Sequence, residues 1–206
     1  MTQKDNNMTD INIFDIPKDA TRVWDLPVPI VVDKENNTIS AYLTGTIEDP
    51  HQYSELCYLL TNADEDTVIV LYLNTPGGII DSAFMVANAI KESKAHVIGH
   101  LSGTVASAGT LISMACDELD VTPHLSFMVH NYSGGMQGKG HEMKARQKFT
   151  DDHLSDAFSY FYAGFLKEDE MEKVIEGTDL WMGTDEVQER WDARIKHLVL
   201  GESDEQ

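Results

Sequence analysis

The sequence predicts an α/β protein, a largely parallel sheet layered with helices. Short apolar runs rich in β-branched residues alternate with stretches whose apolar residues recur every three or four positions. Glycine and proline fall at the ends of several of these runs, as turns between the elements require. Residues 38–43 read as a strand ending at Gly45. Asp49-Pro50 reads as a helix start, with Asp49 as N-cap and proline at the first helical position. Tyr53, Leu56, Cys57 and Leu60 continue that helix. Residues 67–73 are apolar after Thr67 and rich in β-branched residues, as a buried strand would be, and Asn74-Thr75-Pro76-Gly77-Gly78 breaks them. Ile80, Phe84, Ala87 and Ile90 mark the next helix.

Residues 97–101 form another apolar strand, followed by a small-residue turn and a helix over 110–116. Strands follow near 119–122 and 126–130. Residues 141–175 turn helical, with Phe149, Leu154, Phe158, Phe161 and Phe165 among many charges. So many aromatics on one projecting helix predict a partner that covers them. A last unit starts at Trp181 and is expected to close with a strand near 195–200. Residues 24–32, broken by Pro27 and Pro29, suit an extended segment lying along a neighbouring surface.

The 206 residues suit one large domain over 22–206 preceded by a flexible arm over 1–21. Fifteen Lys and Arg against 35 Asp and Glu give a net charge of −20, which argues against nucleic acid or anionic membrane as a partner. Cys57 and Cys116 each sit in an apolar helical pattern with no disulfide or zinc spacing, which fits a reducing compartment. No apolar run approaches the roughly 18 residues of a membrane span. A cytoplasmic protein is expected.

Gly103-Thr104-Val105-Ala106-Ser107-Ala108-Gly109 carries the most chemical information. A serine among small residues between a strand and a helix is where an exposed nucleophile would stand. Free N–H groups at the helix start would face a developing oxyanion. By composition alone the same stretch is also an ordinary packed turn. Serine needs a base, and the base needs an orienting group. Of eight histidines, His130 stands out because it ends the apolar run 125–129 beside Gly134-Gly135-Met136-Gln137-Gly138. His51, His141, His153 and His197 read as surface, while His96, His100 and His124 are harder to exclude. Asp179 is followed by the apolar anchor Leu180-Trp181-Met182, but 35 acids compete for the role.

In order, these pieces resemble ClpP, the proteolytic subunit family of the Clp protease. Leu71-Tyr72-Leu73-Asn74-Thr75-Pro76-Gly77-Gly78 resembles the family's strand and Asn-Ser-Pro-Gly-Gly turn. Residues 103–109 resemble its nucleophile segment Gly-x-Ala-Ala-Ser-Met-Gly. Phe127-Met128-Val129-His130-Asn131 resembles its Val-Met-Ile-His-Gln strand, followed by a matching Gly-rich run at 134–138. Asp179-Leu180-Trp181-Met182 with Asp185-Glu186-Val187 resembles its closing motif. Thr75 and Ala108 replace the family's serine and methionine. The run before Asp179, Glu176-Gly177-Thr178, is shorter and lacks an arginine. Such divergence is also seen in phage-encoded members.

The resemblance implies Ser107 as nucleophile, His130 as general base and Asp179 as its orienting acid. It implies an oxyanion hole from the backbone N–H groups of Gly77 and Ala108, and substrate contacts at Gly78, Gly134 and Gly135. The implied fold is the ClpP/crotonase spiral of ββα units with a projecting handle helix over about 137–175. The implied activity is serine endopeptidase cleavage of unfolded or tagged polypeptides, with no cofactor and no metal. The chamber would be a homo-oligomer of heptameric rings, single or paired, fed by an AAA+ ATPase. Three alternatives stay open: a capsid-maturation protease on the same fold, a crotonase-type acyl-CoA hydratase or isomerase, and a non-enzymatic assembly subunit. Asp185 and Glu186, the nearest competitors of Asp179, are expected to be helix-start charges.

Overall fold

The computed structural model describes residues 28–203, so the arm expected over 1–21 lies outside the described residues. Two strands, β1 (Ile30–Asp33) and β2 (Thr38–Thr44), form an antiparallel hairpin closed at the Asp33↔Thr38 pair. The Asp33 carboxylate makes this turn by accepting the N–H groups of Glu35 and Asn36 at 3.0 and 3.2 Å. From β2 the sheet grows by parallel addition of β3 (Val68–Thr75) and β4 (His96–Ala106).

Beyond β4 the sheet divides. Ile98–Leu101 of β4 pair with β5 (Glu118–Val121), and Thr104–Ala106 pair with β6 (Ser126–Val129). Between the two halves β4 bends at Gly103, whose φ of +64° is a conformation that suits glycine. A side chain there would also meet the Asn74 amide at about 3 Å. The sheet ends with β7 (Leu180–Gly183), antiparallel to β6.

Three helices line one face of this sheet: α1 (Ser54–Asn62), α2 (Ile80–Glu92) and α3 (Ala108–Ala115). Leu56, Leu60, Val86, Ile90, Leu111 and Ile112 meet Ile69, Leu71, Val97 and Leu101 in a single core. Strands β2, β3 and β4 alternate buried and half-buried residues, so helices cover one face and not both. On the other face Tyr42, Tyr72 and His100 stand in one cross-strand row, with ring centroids 4.6 and 4.8 Å apart.

The expected α/β class holds, with four local corrections. Asp49 makes no side-chain cap; Pro50–Tyr53 form one 3₁₀ turn, and α1 starts only at Ser54. The long helix over 141–175 is two helices, α4 (Gly140–Phe161) and α5 (Glu168–Ile175). Tyr162, Phe165 and Leu166 break it by turning into the core. Phe158, Phe161 and Phe165 are buried in the chain's own core too, so of the four phenylalanines only Phe149 stays exposed. The strand expected near 195–200 is part of α6 (Thr184–Ser203). Buried Val187, Trp191 and Arg194 recur at helical spacing, and that spacing outweighs a short apolar run.

Two arginines hold α6 in place. Buried Arg194 donates to the carbonyls of Phe161, Ala163 and Met114 at 2.6, 2.9 and 3.2 Å, tying together the C-terminal ends of α4 and α3. Arg190 donates both terminal nitrogens to Glu170 of α5 at 2.7 Å. This fork pulls the Glu170 carboxyl down to about 2 from 4.5. Its folded value lies below its unfolded one, so the stabilisation is present above pH 4.5 and is lost as pH falls toward 2. Glu170→Gln should therefore cost about 1 kcal/mol at pH 7, after discounting for solvent around the pair. The gap from wild type should close below pH 3, as followed by urea unfolding at several pH values. A gap independent of pH would exclude the ion pair as its source.

Candidate active site

Three parallel strands end on one edge of the sheet, the edge at which open α/β sheets bind ligands. The turn after β3 contributes Gly77 and Gly78, the turn after β4 contributes Ser107, and the end of β6 contributes His130. Ser107 itself is the whole turn between β4 and α3, with φ 54° and ψ −126°. A non-glycine residue in this region is strained by about 1–3 kcal/mol and needs support. Its N–H donates to the Met128 carbonyl at 2.8 Å, and its carbonyl accepts from the Thr110 N–H and hydroxyl at 2.9 and 2.6 Å.

His130 Nε2 lies 2.7 Å from Ser107 Oγ, within hydrogen-bond reach. On the other side, His130 Nδ1 lies 3.8 Å from Asp179 Oδ1, close enough for an ion pair and too long for a hydrogen bond. Sheet register explains why these two meet. The last β6–β7 pair is Val129↔Leu180, so the next residues outward are His130 and Asp179. Asp185 and Glu186 lie instead in the first turn of α6, beside a separate hollow at Pro123 and Leu125. The other doubtful histidines stay away from Ser107. His96 pairs with Glu118 at 3.1 Å and His100 with Asp120 at 2.6 Å, both across β4 and β5.

The amide expected at Gly77 is already spent. Its N–H donates to Thr75 Oγ1 at 3.0 Å, and its carbonyl accepts from Ile47 N at 2.8 Å. Gly78 and Ala108 line the cleft beside Ser107, and neither N–H has a hydrogen-bond partner among the described residues. Gly77 serves a different need. A Cβ there would lie 2.6 Å from Ser107 Cβ and 2.7 Å from the Ala106 carbonyl, at a φ of +96°. Only glycine lets the two turns touch. Gly134 and Gly135 are exposed and do not line the cleft; Tyr132 and Ser133 do.

The cleft has a volume of about 600 Å³. Leu111, Leu154, Phe158 and Tyr162 give it an apolar floor, and Glu48 and Asp81 sit at its mouth. Helix α4 forms one wall with Arg146, Phe149, Thr150, His153 and Leu154. His153, which reads as surface in the sequence, stacks on Phe149 and meets Phe84 edge-on, at centroid distances of 5.6 and 5.9 Å. The signal for this wall was present as the spacing i, i+3, i+4, i+7, i+8.

Among the described residues no group of His, Cys, Asp and Glu is arranged to hold a metal ion, and no helix is long and apolar enough to cross a membrane. Burial raises both thiols, Cys57 to about 11 and Cys116 to about 12, which leaves them poor nucleophiles. What the site does contain is a hydroxyl bonded to an imidazole, a carboxylate behind that imidazole, and two free amides beside the hydroxyl. These are the parts needed for acyl transfer through a covalent intermediate.

The sequence matches the family model described as Clp protease over residues 36–189. It is 34% identical over 101 residues to ATP-dependent Clp protease proteolytic subunit 2 of Pseudomonas aeruginosa, a match covering 47% of this chain and 50% of that protein. It is 30% identical over 128 residues to the ATP-dependent Clp protease proteolytic subunit of Streptococcus suis, covering 54% of this chain and 65% of that one. The corresponding subunit of Streptococcus pneumoniae is 29% identical over 128 residues with the same coverage. The chain thus spans between half and just under two thirds of these curated relatives.

The contact between the two turns is open to direct test. Gly77→Ala should lower stability by about 2 kcal/mol or more and should slow fluorophosphonate labelling of Ser107 at least tenfold. A variant with wild-type unfolding midpoint and labelling rate would show that the turns do not meet this closely.

Proposed function

The chain belongs to the Clp protease family, and from that premise we propose that it is a serine endopeptidase acting on unfolded or tagged polypeptides. The observation that carries this is the 2.7 Å contact between Ser107 Oγ and His130 Nε2, at the rim of an apolar cleft with Asp179 behind the imidazole. In the proposed mechanism Ser107 Oγ attacks the scissile carbonyl while His130 Nε2 takes its proton. The Gly78 and Ala108 amides receive the oxyanion. His130 then returns the proton to the leaving amine, and water releases the acyl group by the same steps in reverse order. Asp179 keeps the Nδ1 proton in place and stabilises the imidazolium. The apolar floor suits an uncharged side chain next to the scissile bond.

A hydratase or isomerase acting on an acyl thioester would use the two amides for an enolate, but would leave the Ser107–His130 pair without a task. Capsid maturation would use the same chemistry on a different substrate. The proposed unit is a single domain over 22–206, located in the cytoplasm, where two unpaired cysteines would stay reduced. The relatives are named as subunits and as ATP-dependent. On that likeness the chain assembles as a homo-oligomer, a heptameric ring, single or paired, that receives substrate from an AAA+ ATPase. Exposed Tyr58, Tyr160, Trp181 and Val199 supply apolar surface for such contacts.

Two measurements test this reading. Ser107→Ala should abolish fluorophosphonate labelling and lower peptide hydrolysis about 10⁴-fold while the protein stays folded; retention of more than about a tenth of the activity would rule out Ser107 as nucleophile. Native mass should be a multiple of the chain mass. Any pairing of rings should strengthen with salt, because screening weakens repulsion between acidic surfaces. A monomer at both low and high salt would leave an unconfined hydrolase.

A further inference from the structure

We propose that Asn131 is a positioning residue that holds His130 and Asp179 at their working separation; this rests on the peptidase reading above. The β6–β7 ladder stops at Val129↔Leu180, so the backbone around His130 and Asp179 lies beyond its last pair. On that open side one side chain rejoins the two segments. Asn131 Nδ2 donates to the Ile175 carbonyl at 2.7 Å, and Asn131 Oδ1 accepts from the Tyr132 N–H at 2.8 Å. The amide is therefore fixed at both ends.

Ile175 is the last residue of α5, and the chain from there to Asp179 has little slack. Glu176, Gly177 and Thr178 donate their N–H groups to the carbonyls of Glu172, Val174 and Lys173 at 2.9, 3.0 and 2.9 Å. These bonds fold the turn back onto the helix. A pull on the Ile175 carbonyl is thus passed to Asp179 within four residues. The neighbouring Tyr132 is held differently. Its hydroxyl donates to Asp151 of α4 at 2.6 Å, which fixes Tyr132 to α4 but does not reach the segment that carries Asp179. The ladder bounds the His130–Asp179 pair on one side and Asn131 bounds it on the other. At 3.8 Å the pair is under an ångström from hydrogen-bond contact, so a small relaxation decides whether the acid can orient the imidazole.

The test is a double-mutant cycle in the full chain, using a fluorogenic peptide. Asn131→Ala should lower kcat about tenfold with KM changed less than about twofold. On an Asp179→Ala background the same substitution should change kcat less than about twofold, because the acid it positions is gone. Asn131→Gln, whose longer amide still reaches Ile175, should restore most of kcat. Losses that simply add, or kcat in Asn131→Ala within about twofold of wild type, would overturn the proposal. If Asn131→Ala does not fold, Asn131→Thr, which keeps bulk at Cβ but cannot reach the carbonyl, is read by the same criteria. Crystal structures give a readout that needs no activity: the His130–Asp179 separation should widen in the variant, and an unchanged separation would overturn the tie. Ser107→Ala run alongside separates the two readings. If it keeps wild-type activity, the peptidase reading fails and the crystallographic distance alone decides the tie. If it is inactive while Asn131→Ala is fully active, only the tie fails.

Discussion

Strand β4 has to serve three neighbours at once, and the rest of the structure depends on how it does so. Along one edge it pairs with β3; along the other it gives its first half to β5 and its second half to β6. One straight strand could not satisfy both partners on that second edge without placing them in line. The bend at Gly103 removes the conflict, and the β3 register shifts beside it between Leu73 and Thr75. Asn74 stands at the bend, its side-chain oxygen accepting the Thr104 N–H at 3.2 Å. After the bend β4 runs only to Ala106, so it delivers Ser107 at the level where β3 and β6 also end.

The site follows from this arrangement almost residue by residue. Because β3, β4 and β6 are parallel, their C-terminal ends share one edge, and the turn residues meet without any long loop reaching across. Because β7 is antiparallel to β6, it brings Asp179 back to the same edge. The contacts differ in tightness. Ser107 is held by Met128 and Thr110 and sits 2.7 Å from His130, whereas Asp179 is more than half exposed and stands at 3.8 Å. Ser107 is positioned by strained backbone between β4 and α3. Asp179 is positioned by a short strand and a turn at the surface. Small adjustments therefore belong to the Asp179 side of the site.

Much of this was legible in the sequence. The apolar runs at 67–73 and 97–101 and the glycine turns after them mark strands because each run must bury its face and then stop. The family resemblance carried by the ordered motifs implied Ser107, His130 and Asp179, which the structure places next to one another. What the sequence did not reveal depends on distance across the fold. Which of two adjacent glycines keeps a free N–H is decided by Thr75 Oγ1 and by Ile47, contacts with no signature in spacing. The apolar residues near 195–200 fit a strand or a helix equally well, and Arg194 settles the matter by reaching three carbonyls from a helical position. The exposed Gly134 and Gly135 show the converse: a motif can keep its residues while they stand in open space away from the cleft lining.

Helix α4 shows why the aromatic content of 141–175 misled in one respect and informed in another. Its C-terminal half carries Leu154, Phe158 and Phe161 into the core, so those residues are satisfied within the chain. Its preceding turns carry Arg146, Phe149 and His153 into the wall of the cleft. One helix is thus both core and cleft wall. Tyr162, just past its end, bonds the Thr110 hydroxyl at 2.5 Å, and Thr110 in turn holds the Ser107 carbonyl. Burial drives the Tyr162 phenol well above its ordinary range, so this link is a neutral hydroxyl pair at neutral pH. A displacement of α4 therefore cannot reshape the cleft without also reaching the turn that bears Ser107. Core stability, pocket shape and serine geometry are mechanically one property in this fold.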